Sequence, residues 1–225
     1  MNHQILVPKN KNLIDERAEE WANTKFGGRN SNGEYSQRTW GHIAEDIFKE
    51  NYGLDLPNIK DKADNGYDLV LNTKEKKYYT GEVMNPDDIK IDIKNCMGSL
   101  YGKTGLWRIN ASDLKEDTVY LLTKTNKHIT DLKVAVCGIV MGDDVWNMVL
   151  DGRATMYKKG EHMAIYERMY SKRNKGEHKD YICTEDCYII NYNSIYSNLP
   201  DGDQASVMTA VGCYNLVKEA INALV

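Results

Sequence analysis

Asn65-Gly-Tyr-Asp68-Leu-Val-Leu-Asn72, the charged turn Thr73-Lys-Glu-Lys76 and Lys77-Tyr-Tyr-Thr-Gly-Glu82-Val-Met84 form one continuous stretch whose reading decides the fold. Two short runs of aliphatic and aromatic residues flank a polar connection, which predicts an antiparallel hairpin with strands over 67–71 and 77–84. Strand alternation then puts Tyr78, Thr80, Glu82 and Met84 on one face and Tyr79, Gly81 and Val83 on the other. Asp68 shares its face with Val70, so the hairpin is expected to bring one carboxylate from each strand, Asp68 and Glu82, to a common edge.

Upstream, Leu13, Ile14, Ala18, Trp21 and Ala22 recur at helical spacing and predict a helix over 12–22. A polar, glycine-rich loop follows over 25–38. The buried stripe Trp40, Ile43, Ala44, Ile47 and Phe48 predicts a second helix over 38–51, ending before Gly53. Downstream of the hairpin, Asn85-Pro-Asp-Asp88 has the chemistry of a helix start: a capping side chain, proline in the first turn and acids at the positive end of the dipole. A helix over 85–100 is expected there, with Ile89, Ile93, Met97 and Leu100 on one side. Strands follow over 118–123 and 132–141, then a short helix over 143–150, a basic loop over 171–179, a strand at 188–190 and a closing helix over 204–225. This order predicts an α/β fold, a mixed central sheet flanked by helices, in one domain of residues 1–225 with a core over 38–141 and a C-terminal lobe over 142–225.

The chain has 225 residues, enough for one sizeable core, and its 41% apolar and 28% charged residues argue against disorder. A net charge of −4 does not advertise nucleic-acid binding, although a basic cleft can sit on an acidic body. No apolar run is long enough to cross a bilayer, and Met1-Asn-His-Gln-Ile lacks the pattern of a signal peptide, so a cytoplasmic location without membrane association is expected. Five cysteines scattered through apolar segments suit reduced thiols. His178, Cys183 and Cys187 lack the spacing and the fourth ligand of a structural zinc site.

Two converging carboxylates on a sheet edge suit a divalent cation, since Mg²⁺ is bound by one or two carboxylates with water and phosphate oxygens. Without a cation, like charges at short range would raise one pKa. Glu45, one turn beyond Gly41 on the second helix, is a candidate third acid, and Gly41 leaves room for close approach of a backbone or ligand. The chemistry such a site serves is phosphodiester hydrolysis.

On these residues the chain resembles the PD-(D/E)XK nuclease superfamily, which includes many restriction endonucleases and junction-resolving or recombination nucleases. The resemblance spans about residues 38–141. Gly41-His-Ile-Ala-Glu45 matches the helical glutamate, Gly66-Tyr-Asp68 the first metal-binding acid and Glu82-Val-Met84 the E-x-K position, and the strand around Val119-Tyr-Leu-Leu122 also falls in place. The resemblance implies a restriction-endonuclease-like core with additional C-terminal elements, most like a type II restriction enzyme. It implies Mg²⁺, replaceable by Mn²⁺, held by Asp68, Glu82, the Val83 carbonyl and Glu45. Met84 stands where the family has lysine, and a thioether neither donates a hydrogen bond nor carries charge. Lys90 and Lys94, one turn apart on the expected helix, are the candidates to replace it.

The implied partner is double-stranded DNA, with a homodimer expected if both strands of a palindrome are cut. Phosphate contacts are expected from Lys25, Arg29 and Arg38 and from Lys172, Arg173, Lys175 and Lys179. Arg29 with Asn30 and Asn32 is a candidate base-reading loop. A junction-resolving, repair or phage nuclease, and a non-catalytic DNA-binding protein on the same fold, remain open alternatives.

Overall fold

A computed structural model describes residues 4–56, 59, 67–72, 74–75, 77–79, 85, 87–100, 104–126, 129–170 and 181–191. An edge strand, β1 (Gln4–Leu6), precedes two helices. In α1 (Lys11–Ala22) the side chain of Asn10 accepts the Leu13 amide, and in α2 (Gln37–Asn51) Ser36 accepts that of Thr39, so each helix starts on a side-chain cap. Both helices lie where the apolar spacing put them, and Ile14, Ala18, Ile43, Ala44 and Ile47 are essentially inaccessible.

The hairpin also forms, with β2 (Leu69–Asn72) antiparallel to β3 (Lys77–Tyr79). The expected helix over 85–100 does not. Asn85 and Asp88 close a turn, the Asp88 amide donating to the Asn85 carbonyl and the Asp88 carboxylate accepting from the Asn85 amide. The chain then runs straight into β4 (Ile89–Met97), antiparallel to β2. The physical reason is in Ile89-Lys-Ile-Asp-Ile-Lys94, which alternates strictly and is rich in β-branched isoleucine, a strand signal. The 89, 93, 97 spacing satisfies a helix as well, and residues that cap helices also make turns.

The remaining described strands are β5 (Leu106–Asn110), β6 (Thr118–Thr125), β7 (Val134–Met141), β8 (Ala154–Tyr157) and β9 (Cys187–Asn191). Two helices, α3 (Asp144–Leu150) and α4 (Ala164–Tyr170), flank β8 in sequence. The larger sheet is mixed, in the order β1-β7-β6-β4-β2-β3, with β4 and β6 parallel and the other pairs antiparallel. A three-stranded antiparallel sheet, β5-β9-β8, takes its first strand from inside the stretch expected to be the core. The expected closing helix over 204–225 and the basic loop over 171–179 lie outside the described residues.

Alternation divides the interior. Ile91 and Ile93 of β4 and Val119 and Leu121 of β6 pack with α1 and α2, whereas Tyr120 and Leu122 pack with Trp107 and Ile109 of β5, Val145 and Met148 of α3, and Ile190 of β9. The large sheet is therefore a middle layer between helices on one face and the small sheet with α3 on the other. Even-numbered β4 residues, Asp92 and Lys94 among them, point into the seam between the sheets. Tying the sheets together, Trp107 donates from Nε1 to the Thr123 carbonyl at 2.7 Å. Among the described residues no helix is long and apolar enough to cross a membrane.

Candidate functional site

The pairing of β2 with β4 builds the site. Their register matches Leu69 to Ile91, which places Asp68 opposite Asp92, one residue further along. The Asp68 amide donates to the Ile91 carbonyl at 3.0 Å, and the Ile93 amide donates to Asp68 Oδ2 at 2.6 Å. Asp68 is thus held by the backbone of the strand that carries Asp92. The two carboxyl groups are within hydrogen-bond reach of each other, and Lys94 Nζ lies 2.9 Å from Asp92 Oδ2.

Burial raises the pKa of Asp92; Lys94 pulls it down, the nearby Glu45 charge pushes it up, and the net direction is upward. Burial alone would lower the pKa of Lys94, but Asp92 first, then Asp68 and Asp113, outweigh it and hold the ammonium charged. The lysine therefore keeps its proton beside Asp92. Lys94 also lies over the Tyr120 ring at 5.8 Å, whose hydroxyl is anchored on the Asp113 carbonyl.

Glu45 comes from α2 and is buried, not a solvated boundary residue. Its Oε1 lies 3.5 Å from His42 Nδ1, and the His42 ring stacks on Trp21 at 4.0 Å. The next residue, Asp46, takes Nε and Nη2 of Arg17 and Nε1 of Trp21, which locks α2 against α1. A Cβ at Gly41 would meet no atom of the described residues within 4 Å, so none of their backbone makes a close approach there.

The structure therefore brings together Asp68 and Lys94 of the expected set and adds Asp92, which the helix reading of 85–100 concealed, while Glu45 acts on Asp92 through its charge from α2. The signal that identifies Asp92 is an acid two residues before a lysine on an alternating strand. Lys94 reaches the cluster from that strand, not from a helix. Lys90, on the same face, is spoken for elsewhere by Asp117 and lies near the Tyr67 ring. Glu82, Val83 and Met84, like Lys172, Arg173, Lys175 and Lys179, lie outside the described residues. Lys25 lies over the Phe26 ring, and Arg38 is exposed in the first turn of α2. Arg29 is held within its loop by Glu19 and the Gly33 carbonyl and lies over Tyr35, whose phenol is pushed up to about 12 by burial and by its bond to Glu19. Cys183 and Cys187 face each other at 3.5 Å.

Among the described residues no three His, Cys, Asp or Glu side chains converge as a metal cage. The fit to Mg²⁺ is instead that of a two-carboxylate site, Asp68 and Asp92 lying opposite each other at the end of the β2–β4 pairing, the one or two protein carboxylates that Mg²⁺ commonly takes. No protein-family profile matches the chain, no characterised protein is similar to it in sequence, and no solved structure is similar to it in fold.

Proposed function

We propose that the chain is a metal-dependent endonuclease of PD-(D/E)XK type, with a restriction-endonuclease-like core, in which the motif is Asp68 with Asp92-Ile93-Lys94 and Glu45 is the helical acid. The observation that carries this reading is the placement of Asp68 opposite Asp92 on antiparallel strands, with Lys94 two residues on and paired to Asp92. The lysine missing at Met84 is then not missing. It belongs to the neighbouring strand, and the case for a relic site, which rested on Met84, loses its support.

Asp68 and Asp92 would hold Mg²⁺, which supplies Lewis-acid polarisation of a phosphoryl oxygen and charge neutralisation. The backbone bond from Ile93 keeps the Asp68 carboxylate aimed at Asp92. Lys94, charged and positioned by Asp92, faces the negative charge that grows on the phosphate during displacement; a lysine that keeps its proton acts as an electrostatic clamp, not a general base. Glu45 raises the local negative potential and so favours a cation over a proton between the aspartates. The substrate class is DNA phosphodiester, and cleavage of duplex DNA by a pair of subunits is part of the same reading.

The test is incubation of the purified chain with plasmid DNA and Mg²⁺ or Mn²⁺. Cleavage is expected for the wild type and a loss of at least about a hundredfold for Asp68→Ala, Asp92→Ala and Lys94→Ala. Met84→Lys distinguishes the two placements of the motif: with Lys94 in the role, this substitution brings no gain in rate. Undiminished cleavage by Asp92→Ala would refute the assignment.

A further inference from the structure

Beside the acid cluster the seam between the sheets opens into a cavity of 390 Å³, within the roughly 300–1,000 Å³ usual for small-ligand sites. Lys94 belongs to its wall, so cavity and cluster are contiguous. Met97 of β4 and Arg108 of β5 form opposing sides, Tyr166 of α4 and Tyr181 supply aromatic faces, and the exposed Gln37 stands at the rim. The two tyrosine rings lie 6.1 Å apart with 28° between their planes.

The lining suits a flat, anionic ligand. In a chain of net charge −4, the described residues around the cavity include two cations and no carboxylate, although Lys94 is paired at 2.9 Å with Asp92 and Arg108 at 3.5 Å with Glu185 behind the lining. Aromatic faces and a polarisable thioether accept a planar ring, and the Gln37 amide offers both a donor and an acceptor to a ring edge. A base pair within a stacked duplex cannot enter such a recess; a lone base can, by leaving its stack. We propose that this cavity receives one unstacked nucleobase of the strand whose phosphate sits at Asp68 and Asp92, so that the preferred substrate is DNA with an unpaired nucleotide beside the cut. This inference rests on the nuclease reading above and deepens it.

The test separates binding from cleavage. Asp92→Asn, in the full chain, is titrated by fluorescence anisotropy with three labelled oligonucleotides: a perfect duplex, the same duplex with one bulged nucleotide, and the single strand. The bulged duplex and the single strand are expected to bind on the order of tenfold more tightly than the perfect duplex. Tyr166→Ala in that background abolishes the preference while Tyr166→Phe keeps it. Gln37→Trp, which blocks the mouth from an exposed position and leaves the core untouched, abolishes it as well. Equal affinity for all three oligonucleotides, or a preference unchanged in both Tyr166→Ala and Gln37→Trp, overturns the proposal. A wild type that cuts perfect duplex through Asp92 without this preference leaves the nuclease reading standing and removes the base pocket alone; a preference carried by Tyr166 in a chain that never cuts removes the nuclease reading alone.

Discussion

Asp92 shows how one side chain can work against folding and for a ligand. Its pKa in the folded protein is raised, with burial the largest cause and Glu45 adding to it. The unfolded reference is about 3.9, so between that value and the raised one the folded state binds the extra proton and stability falls as pH rises. Above the folded pKa the ionised Asp92 opposes folding in full. Asp92→Asn is therefore expected to raise the melting temperature at pH 7 in EDTA, by about 2–4 °C for each kcal/mol relieved, with the difference vanishing near pH 4. Lys94 keeps the favourable charge of Asp68 in that variant, so the exchange does not strand the ammonium. On the proposed metal reading Mg²⁺ is expected to reverse the order, stabilising the wild type by mass action and leaving Asp92→Asn unmoved. A wild type that melts above Asp92→Asn at pH 7 in EDTA would mean that the Asp92–Lys94 ion pair outweighs the cost of burying the charge.

Among the elements, α2 carries Glu45 to the cluster, and its position depends on the neighbouring Asp46, which is 1% exposed. Burial pushes the Asp46 pKa up, while Arg17 and Trp21 hold it down by hydrogen bonds. Asp46→Ala leaves the Arg17 guanidinium, itself only 13% exposed, and the Trp21 indole without this acceptor. Removal of one member of a buried ion pair costs about 3–5 kcal/mol, to be read from urea unfolding as a lower midpoint at unchanged slope. Asp46→Asn, which keeps an acceptor for Trp21, is expected to lose less. The first two helices were legible because their apolar stripes have a single period. The hairpin was legible from its turn. β4 was not, because isoleucines at 89 and 93 with Met97 satisfy a period of four while 89, 91 and 93 satisfy a period of two, and nothing local arbitrates. The choice is made by tertiary pairing: β4 runs between β2 and β6, and a helix there would leave the facing edge of each unpaired and split the sheet. That one ambiguity also hid Asp92 and its relation to Lys94, since the two share a face two residues apart on a strand and diverge on a helix. Asp68, Glu45 and Lys94 were singled out as candidates from their chemistry; Asp92 required the element.

The two sheets meet across one seam, and whether they act as a single unit decides whether a site in that seam can be rigid. Trp107, wholly buried on β5, crosses the seam to the Thr123 carbonyl of β6 and packs among Tyr120, Leu122 and Ile190, residues from both sheets. Lys124, also wholly buried, lies 5.9 Å from the same ring, its pKa lowered by burial. Because this interior is shared, neither sheet keeps a complete hydrophobic face without the other, and the described layers should melt together. Trp107→Ala is expected to cost about 3–5 kcal/mol and to move the whole calorimetric transition down instead of splitting it. The alternative, two lobes joined by a slack interface, predicts a second transition once the tryptophan is gone, with the large sheet surviving at the wild-type temperature. The DNA readout belongs to the same experiment: if the seam is what holds Arg108 and Tyr166 against Lys94, Trp107→Phe, which retains most of the packing but loses the bond to Thr123, weakens the preference for an unpaired base before it weakens the fold.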